Sequence, residues 1–246
     1  MVKAEWYVDW FNSPYYHLLY DKRNEEEANL FINNLCSKIQ LKDNAFIWDL
    51  ACGRGRHSLA LGRKGFQVIG TDLSENNIHE AMTNSTAKLD FFVHDMRTPF
   101  KLNYFDVVFN LFTSIGYFKN FNDNYLVFKN VANSLKENGL FVVDFFNVDK
   151  IQETIKPSYV EQRGEVTFHI KKTIAQKAIL KRIEFNKDGK DYYFEESVSL
   201  LKKSDFEEFA GRAGLTICDI FGNYQLQNFD VLHSERLILF FKKQEK

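Results

Sequence analysis

Cysteine and proline are both scarce in this chain, and each occurs only three times in 246 residues. Cys36, Cys52 and Cys218 are odd in number and far apart, which excludes a disulfide scaffold and a zinc-binding spacing. No metal site is predicted, and unpaired thiols are expected in the reducing cytoplasm. Because prolines are few and no Pro/Gly/Ser-rich linker is present, we expect one compact body.

Long apolar runs and an excess of charge are also absent. The longest apolar stretches, such as GLFVVDFF, are too short to cross a bilayer, and the N-terminal MVKAEWYVDWF has charges where a secretory signal needs an apolar core. The formal net charge is -1, so no overall positive field attracts nucleic acid or an anionic membrane. We therefore expect a cytoplasmic protein that binds neither membranes nor nucleic acid.

Apolar strands alternate with amphipathic helices over the first part of the chain. AFIWDL, FQVIGTDLS, LDFFVHD, YFDVVFNLF and GLFVVDFFN read as strands, and one of the intervening helices is predicted over residues 123–136, with Gly139 just beyond its end. Continuous apolar strands that alternate with helices indicate a parallel sheet covered on both faces.

The pattern changes after residue 156. EVTFHIKK, AILKRIEF and YYFEESVSLL alternate with period two, and Asp188-Gly189 predicts a hairpin turn between the last two. We predict an antiparallel β insertion over residues 157–201 within a core formed by residues 1–156 and 202–246. Its apolar face is expected to cover the substrate side of the cleft as a lid or to form a homodimer contact. A hairpin without functional contact is the alternative.

A glycine turn, DLACGRGRHS, joins the first strand to the next helix. Gly53 and Gly55 leave room for a ligand close to the backbone, although a tight turn with a helix N-cap is the alternative. A dinucleotide-binding turn needs a third glycine where Ser58 stands, and no P-loop Gly-Lys-Ser/Thr follows. Asp49, just before the glycines, would repel a diphosphate but suits a ligand with an ammonium group.

Two further acids follow the next two strands. Asp72 ends the second strand, where a carboxylate can accept hydrogen bonds from both ribose hydroxyls of an adenosine. Asp95 follows the third strand, where it can accept from the adenine amino group. Three carboxylates at the ends of successive strands favour a cationic adenosine ligand without phosphates. S-adenosyl-L-methionine, with S-adenosyl-L-homocysteine as its product, fits that description.

Four segments together resemble a known family. DLACGRGRHSLAL, GTDLS, HDMR and FNLFTSIGYF, in this order, resemble the successive motifs of class I S-adenosylmethionine-dependent methyltransferases, and CGRGRHS with the β insertion resembles their small-molecule branch, which includes sugar N-methyltransferases and glycine N-methyltransferase. The resemblance implies a Rossmann-like α/β fold, with a doubly wound, mostly parallel seven-stranded sheet and a small antiparallel β insertion. Ala51 departs from the family, which has its first glycine there.

The resemblance also implies roles for individual residues. Asp49, Ala51 and Gly53 would line the methionine portion, Leu73 and Met96 the adenine, and the segment after the fourth strand, up to Phe112, the sulfonium. An N-terminal tyrosine would reach the cofactor carboxylate. Core packing is the alternative for Leu73, Leu111 and Phe112, and an aromatic stripe is the alternative for the tyrosines. The predicted cofactor-binding residues are Tyr16, Tyr20, Asp49, Ala51, Gly53, Gly55, Asp72, Leu73, Asp95, Met96, Asn110 and Leu111.

No catalytic base is predicted, and Tyr117 is the substrate-side candidate. His57, His94 and His233 are isolated, and isolated histidines are more often structural. Methyl transfer from a sulfonium to an amine is an in-line displacement with an excellent leaving group, so the chief contribution of an enzyme is positioning.

Three functions are compatible with these observations. The leading interpretation is a methyltransferase that acts on a small-molecule acceptor. A methyltransferase that acts on RNA or protein is the second, since residues 156–190 contain nine Lys or Arg against four Asp or Glu, although a solvated strand face explains that excess equally well. A non-catalytic regulator that binds S-adenosylmethionine is the third.

Overall fold

The computed structural model describes residues 6–20 and 25–244. Its helices are α1 (Trp6–Phe11), α2 (Pro14–Tyr20), α3 (Glu25–Ile39), α4 (Arg56–Arg63), α5 (Glu75–Met82), α6 (Phe121–Ser134), α7 (Val148–Thr154) and α8 (Lys203–Ala213). Its strands are β1 (Phe46–Leu50), β2 (Gln67–Asp72), β3 (Leu89–Val93), β4 (Phe105–Asn110), β5 (Leu135–Phe146), β6 (Ser158–Arg163), β7 (Val166–Ala175), β8 (Ala178–Lys187), β9 (Lys190–Ser199), β10 (Leu215–Phe221) and β11 (Arg236–Lys243).

The main sheet has seven strands in the order β10-β11-β5-β4-β1-β2-β3. The strands β3, β2, β1, β4 and β5 pair in parallel, whereas β11 pairs antiparallel with both β5 and β10. A second sheet contains four antiparallel strands, β6 to β9. These two sheets confirm the predicted fold class.

The core lies on both faces of the main sheet, because successive strand side chains point to opposite faces. One apolar cluster joins the strands to α6 and α8 through residues such as Phe128 and Phe206. The other joins them to α3, α4 and α5 through residues such as Phe31, Leu61 and Ile78. Because β1 to β5 run parallel, their carboxyl ends lie at one edge of the sheet, which is where such folds bind their ligands.

The helix predicted over residues 123–136 is displaced in the structure. Helix α6 ends at Ser134, and Leu135 already pairs with Phe105 at the start of β5. An irregularity in the β4–β5 pairing follows, and Asn138 within it has a φ of 61°. The predicted position of Gly139 just past the helix end is therefore wrong, since this glycine lies inside β5.

The second sheet buries one face, as its alternating pattern predicts. Val166, Phe168 and Ile170 on β7 are almost fully buried. The short helices α1 and α2 pack on this face: the ring centroids of Trp10 and Phe194 lie 4.4 Å apart. The sequence predicted either the cleft or a second subunit as the cover of this face. The N-terminal helices that cover it, and the polar edge strand β6, were not predicted.

Among the helices of residues 6–20 and 25–244, none combines the length and the hydropathy that crossing a membrane would require.

Candidate functional site

A cleft of about 720 Å³ opens at the carboxyl edge of the main sheet, with α1 and α2 on its other side. Most of the residues predicted to bind a cofactor lie on its wall, and Phe112 and Tyr117 lie there too. Those on the wall are Tyr16, Tyr20, Ala51, Gly53, Asp72, Leu73, Asp95, Met96 and Leu111. Three of the predicted residues, Asp49, Gly55 and Asn110, lie behind the wall.

The turn between β1 and α4 is held in a conformation that glycine favours. Ala51, Gly53 and Gly55 have φ values of 62°, 57° and 81°. A Cβ added at Gly53 would meet no atom within 4 Å, so the backbone here faces the open cleft. The Cys52 amide donates to the carbonyl oxygen of Thr71 at 2.9 Å, which fastens the turn to β2. Ala51 keeps the left-handed conformation without being glycine, at a cost of roughly 1–2 kcal/mol.

Gly55 is required by packing rather than by a ligand. A Cβ at this position would stand 2.7 Å from Cε1 of Phe91, in addition to the strain of the positive φ. We expect Gly55→Ala to lower the free energy of unfolding by about 2–3 kcal/mol, measured by urea denaturation. Gly53→Ala is the matched control, because it carries the strain without the clash and should lose only about 1 kcal/mol. Equal losses in the two variants would contradict this assignment.

The Asp72 carboxylate lies on the cleft wall at the end of β2. One of its oxygens accepts a hydrogen bond from the Gly53 amide at 2.8 Å, and the other accepts from the Ser74 amide at 2.9 Å. Burial raises the pKa of Asp72, and the two amides oppose that rise. The carboxylate also lines the cleft, where it can accept a hydrogen bond from a ligand hydroxyl. Asp72 therefore both supports the glycine turn and offers an acceptor to the cleft.

Asp49 is buried beneath the turn instead of facing the cleft. Only 1% of its surface is exposed, and it accepts a hydrogen bond from the Ser58 hydroxyl at 2.5 Å. Burial raises the pKa of Asp49 to about 6. The serine that replaces the third glycine of a dinucleotide-binding turn is thus the partner of this carboxylate. This partnership was not foreseen from the sequence.

Asp95 lies on the cleft wall with its carboxylate held by Arg97. The two side chains form a bidentate ion pair, with Nη2 of Arg97 2.7 Å from Oδ2 of Asp95. Burial alone would raise the pKa of Asp95, but the hydrogen bonds and charge of Arg97 outweigh it and lower the pKa. Leu73 also lies on the cleft wall with 37% of its surface exposed, so it offers an apolar contact to a ligand.

The segment after β4 is held from behind by a buried ion pair. Nδ2 of Asn110 donates to the carbonyl oxygen of Leu50, while its Oδ1 is buried without a partner among the described residues. Phe112 and Thr113 have positive φ values, and the Phe112 amide donates to Asp144 at 2.9 Å. Asp144 is fully buried and accepts from Nε of Arg236 at 2.7 Å. The pair fixes the loop that borders the cleft.

Five aromatic side chains, here called the aromatic wall, lie where the cleft adjoins a second cavity of about 470 Å³. Residues of this aromatic wall line both spaces, and they are Phe11, Tyr16, Tyr20, Phe112 and Tyr117. The Tyr117 hydroxyl donates to the Thr113 carbonyl oxygen at 2.5 Å, and its ring centroid lies 5.4 Å from that of Phe11. The Tyr20 hydroxyl donates to Glu196 of β9 at 2.7 Å. Both hydroxyls are therefore engaged by the protein.

Burial lowers the pKa of each of the three histidines on the cleft wall, His17, His57 and His94, which favours their neutral form. Burial lowers the pKa of His57 to about 3 and that of His17 to about 4. Neutral side chains at these positions offer no cation to a phosphate.

Several residues of the site were not predicted from the sequence. Arg97, Asp144 and Arg236 act through other residues, and Phe11 belongs to the aromatic wall. The segment HDMR already placed Arg97 two residues after Asp95, so this partner was within reach. Arg236 and Asp144 are 92 positions apart, and only the pairing of β11 with β5 brings them together.

The comparisons with known proteins agree with this geometry. Residues 48–143 match a family model described as a methyltransferase domain. The "Putative methyltransferase YqeM" of Bacillus subtilis is 35% identical over 133 residues, which cover 52% of this chain and 53% of that protein. The chain thus spans about half the length of the curated relatives it matches.

Solved structures with the same fold extend over nearly the whole chain. An S-adenosylmethionine-dependent methyltransferase from Clostridium acetobutylicum is 23% identical with a TM-score of 0.80, covering 94% of this chain and 97% of its own. CalS10 from Micromonospora echinaspora, an amino pentose methyltransferase solved with S-adenosylmethionine bound, is 16% identical with a TM-score of 0.71, covering 94% and 98%. The sugar N-methyltransferase KedS8 from Streptoalloteichus is 20% identical with a TM-score of 0.71, covering 94% and 93%.

The matched domain contains most of β1 and β5, β2 to β4 and α4 to α6. It therefore includes the glycine turn, Asp72, Asp95 and the segment after β4. Residues 48–143 thus match a methyltransferase domain, and the chain has the class I, Rossmann-like fold of the solved S-adenosylmethionine-dependent methyltransferases.

Proposed function

We propose that this protein is an S-adenosylmethionine-dependent methyltransferase that transfers a methyl group to a small-molecule acceptor. The observation that carries the proposal is the position of Asp72. Its carboxylate stands at the end of β2 on the cleft wall, held by the amides of Gly53 and Ser74, where it can accept a hydrogen bond from a ribose hydroxyl. The open backbone at Gly53 leaves room for the rest of the ligand beside it.

The remaining cleft residues fit the other parts of this cofactor. Leu73 and Met96 offer apolar contact to an adenine, and Asp95 keeps acceptor capacity for its amino group despite the pair with Arg97. Ala51 and Gly53 border the space for the methionine portion, and Tyr16 is the candidate for contact with its carboxylate. The buried Asp49 acts on the site through Ser58 and through its charge, and Gly55 and Asn110 support the wall from behind.

When bound, the cofactor supplies a methyl group on a positively charged sulfur atom. The residues of the chain orient the acceptor, exclude water and stabilise that charge. Phe112 and Tyr117 present aromatic rings where the cleft meets the second cavity, and an aromatic ring near a cation contributes about 0.5–2 kcal/mol. The engaged hydroxyl of Tyr117 suits a residue that positions its neighbours better than one that takes a proton.

Two observations favour a small acceptor over RNA or protein. The second cavity is lined on one side by the second sheet and has about the volume of a small-molecule site. Of the seven Lys and Arg residues in β6 to β9, four form ion pairs with acids of the same sheet or of its turns, as in Arg182 with Glu195 and Lys187 with Glu165, which reduces the positive charge available to a nucleic acid. CalS10, an amino pentose methyltransferase, and KedS8, a sugar N-methyltransferase, share the fold of this chain.

We expect S-adenosylhomocysteine and S-adenosylmethionine to bind and NAD not to bind, as measured by calorimetry. Ser58 stands where a dinucleotide-binding turn has its third glycine. The carboxylates of Asp49 and Asp72 at this turn would repel a diphosphate. Tighter binding of NAD than of S-adenosylhomocysteine would refute the proposal. A steep salt dependence of RNA binding would instead favour the RNA acceptor. Cofactor binding with no methyl transfer to any pooled extract in single-turnover assays would favour the regulator.

A further inference from the structure

The second cavity continues outward, away from the cofactor cleft. Beyond it lies a third cavity of about 660 Å³. The second and third cavities share a set of wall residues from α7 and from β6, β7 and β8, namely Ile151, Tyr159, Glu161, Arg163, Lys172 and Ile179. An acceptor can therefore reach the aromatic wall from the side opposite the cofactor. Half of these shared residues are charged.

The wall of the second cavity contains more positive than negative side chains. Its cations are Arg163, Lys172, Lys181 and Arg236, and its anions are Glu161 and Glu196. Three of the cations are paired with carboxylates: Arg163 with Glu161, Lys181 with Glu196, and Arg236 with the buried Asp144. Lys172 alone among these four forms no ion pair with the residues that the structure describes.

Lys172 is also removed in part from water. Its side chain is half-buried, and its ammonium lies 5.1 Å from the centroid of the Tyr159 ring. Burial lowers the pKa of Lys172, and the charges of Glu196 and Glu161 oppose that change without contacting it. A half-buried ammonium without a carboxylate partner gains most from an anionic group, which restores a charge-assisted hydrogen bond.

We propose that the methyl acceptor is an anionic small molecule whose carboxylate or phosphate binds the Lys172 ammonium, with its reacting atom at the aromatic wall. This inference rests on the proposed function and names the substrate class of that site. Lys172 is a specificity-determining residue here, because it binds the acceptor at a distance from the transferred methyl group. The neighbouring ion pairs neutralise the other charges of the cavity wall, so one anionic group on the acceptor would neutralise the remaining positive charge of Lys172.

The test uses the full chain loaded with S-adenosylhomocysteine. A cell extract is separated on an anion exchanger into retained and unretained small molecules, and each pool is incubated with the loaded protein. Ultrafiltration followed by mass spectrometry identifies the compounds that stay with the protein. Their affinities are then measured for the parent, for Lys172→Met and for Lys171→Met. Lys171 is the matched control, since it is the adjacent residue, carries the same charge and is exposed on the opposite face of β7.

We expect a retained, anionic compound to bind, and Lys172→Met to weaken its binding about tenfold or more, the loss typical of a charge-assisted hydrogen bond. Lys171→Met should bind it like the parent, and both variants should keep the parent's affinity for S-adenosylhomocysteine. Capture of unretained compounds only, capture of none, or equal binding by parent and Lys172→Met would overturn the inference. A parent that does not bind S-adenosylhomocysteine would instead overturn the proposed function.

The chemistry of the anionic group is decided by a second arm. The retained pool is treated with alkaline phosphatase before the incubation. Loss of the captured compound identifies a phosphate monoester, and the exact mass of a compound that persists distinguishes a carboxylate from a phosphodiester.

Discussion

Asp72→Ala is expected to weaken the binding of S-adenosylhomocysteine by about 2–5 kcal/mol, the range observed when a charged, hydrogen-bonded partner is removed from a desolvated contact. Two losses contribute. The ribose hydroxyls lose their acceptor, and the Gly53 and Ser74 amides lose the carboxylate that holds the turn beside the ligand. Calorimetry measures the effect. The pH is kept fixed near 7 so that all variants are compared in the same buffer.

Two control variants separate these losses. Asp72→Asn keeps one acceptor oxygen and the shape of the side chain, so it should fall between the parent and Asp72→Ala. Glu75→Ala removes a negative charge from an exposed position three residues away and should change the affinity little. Denaturation of all three variants reports how much of the effect comes from a loosened turn. Parent-like binding by Asp72→Ala would refute the ribose role.

Asp144→Ala is expected to lower the free energy of unfolding by about 3–5 kcal/mol, because it leaves a largely buried arginine without its carboxylate. Asp144 accepts hydrogen bonds from the Arg236 guanidinium at 2.7 Å and from the Phe112 amide at 2.9 Å. The Arg236 side chain is only 18% exposed and cannot regain full hydration. Guanidinium denaturation, with the slope compared between variants, measures the loss.

A surface pair provides the control for this prediction. Glu207→Ala removes the partner of Lys203 on α8, where both side chains are more than 40% exposed, and should cost about 0.3–0.5 kcal/mol. The double variant Asp144→Ala with Arg236→Met should recover part of the loss, since no buried charge is left unpaired. A single Asp144→Ala variant that lost no more than Glu207→Ala would show that the pair is not structural.

The succession of elements could be predicted because it depends on local patterns. Apolar runs such as those in β1 and β4 have no polar face, and only a sheet covered on both sides can bury them. The Asp188-Gly189 turn, with φ values of 53° and 76°, joins β8 to β9 as its residue types require. The motifs then locate the ligand edge, because carboxyl ends of parallel strands meet there.

The ends of the helices and strands, and the residues that support the cleft wall, depend on contacts between distant parts of the chain, which local sequence patterns do not predict. Helix α6 stops at Ser134 because Leu135 pairs with Phe105, and β6 is recognisable only as a polar edge paired to β7. Asp49 accepts a hydrogen bond from Ser58 and does not face the open cleft. Gly55 is needed because a Cβ there would clash with the Phe91 ring. Each of these outcomes is decided by a partner on another element.

The sequence by itself determined the fold class and the residues of the glycine turn, since hydrophobic periodicity and turn chemistry act within a few residues. Only the tertiary structure decided which of the acids faces the cleft, which helices cover the second sheet and which cation of the second cavity forms no ion pair with the described residues. Burial and charge pairing depend on residues that are far apart in the chain, such as Asp144 and Arg236. The order of the strands in the sheet, which no local sequence pattern specifies, brings these two side chains together.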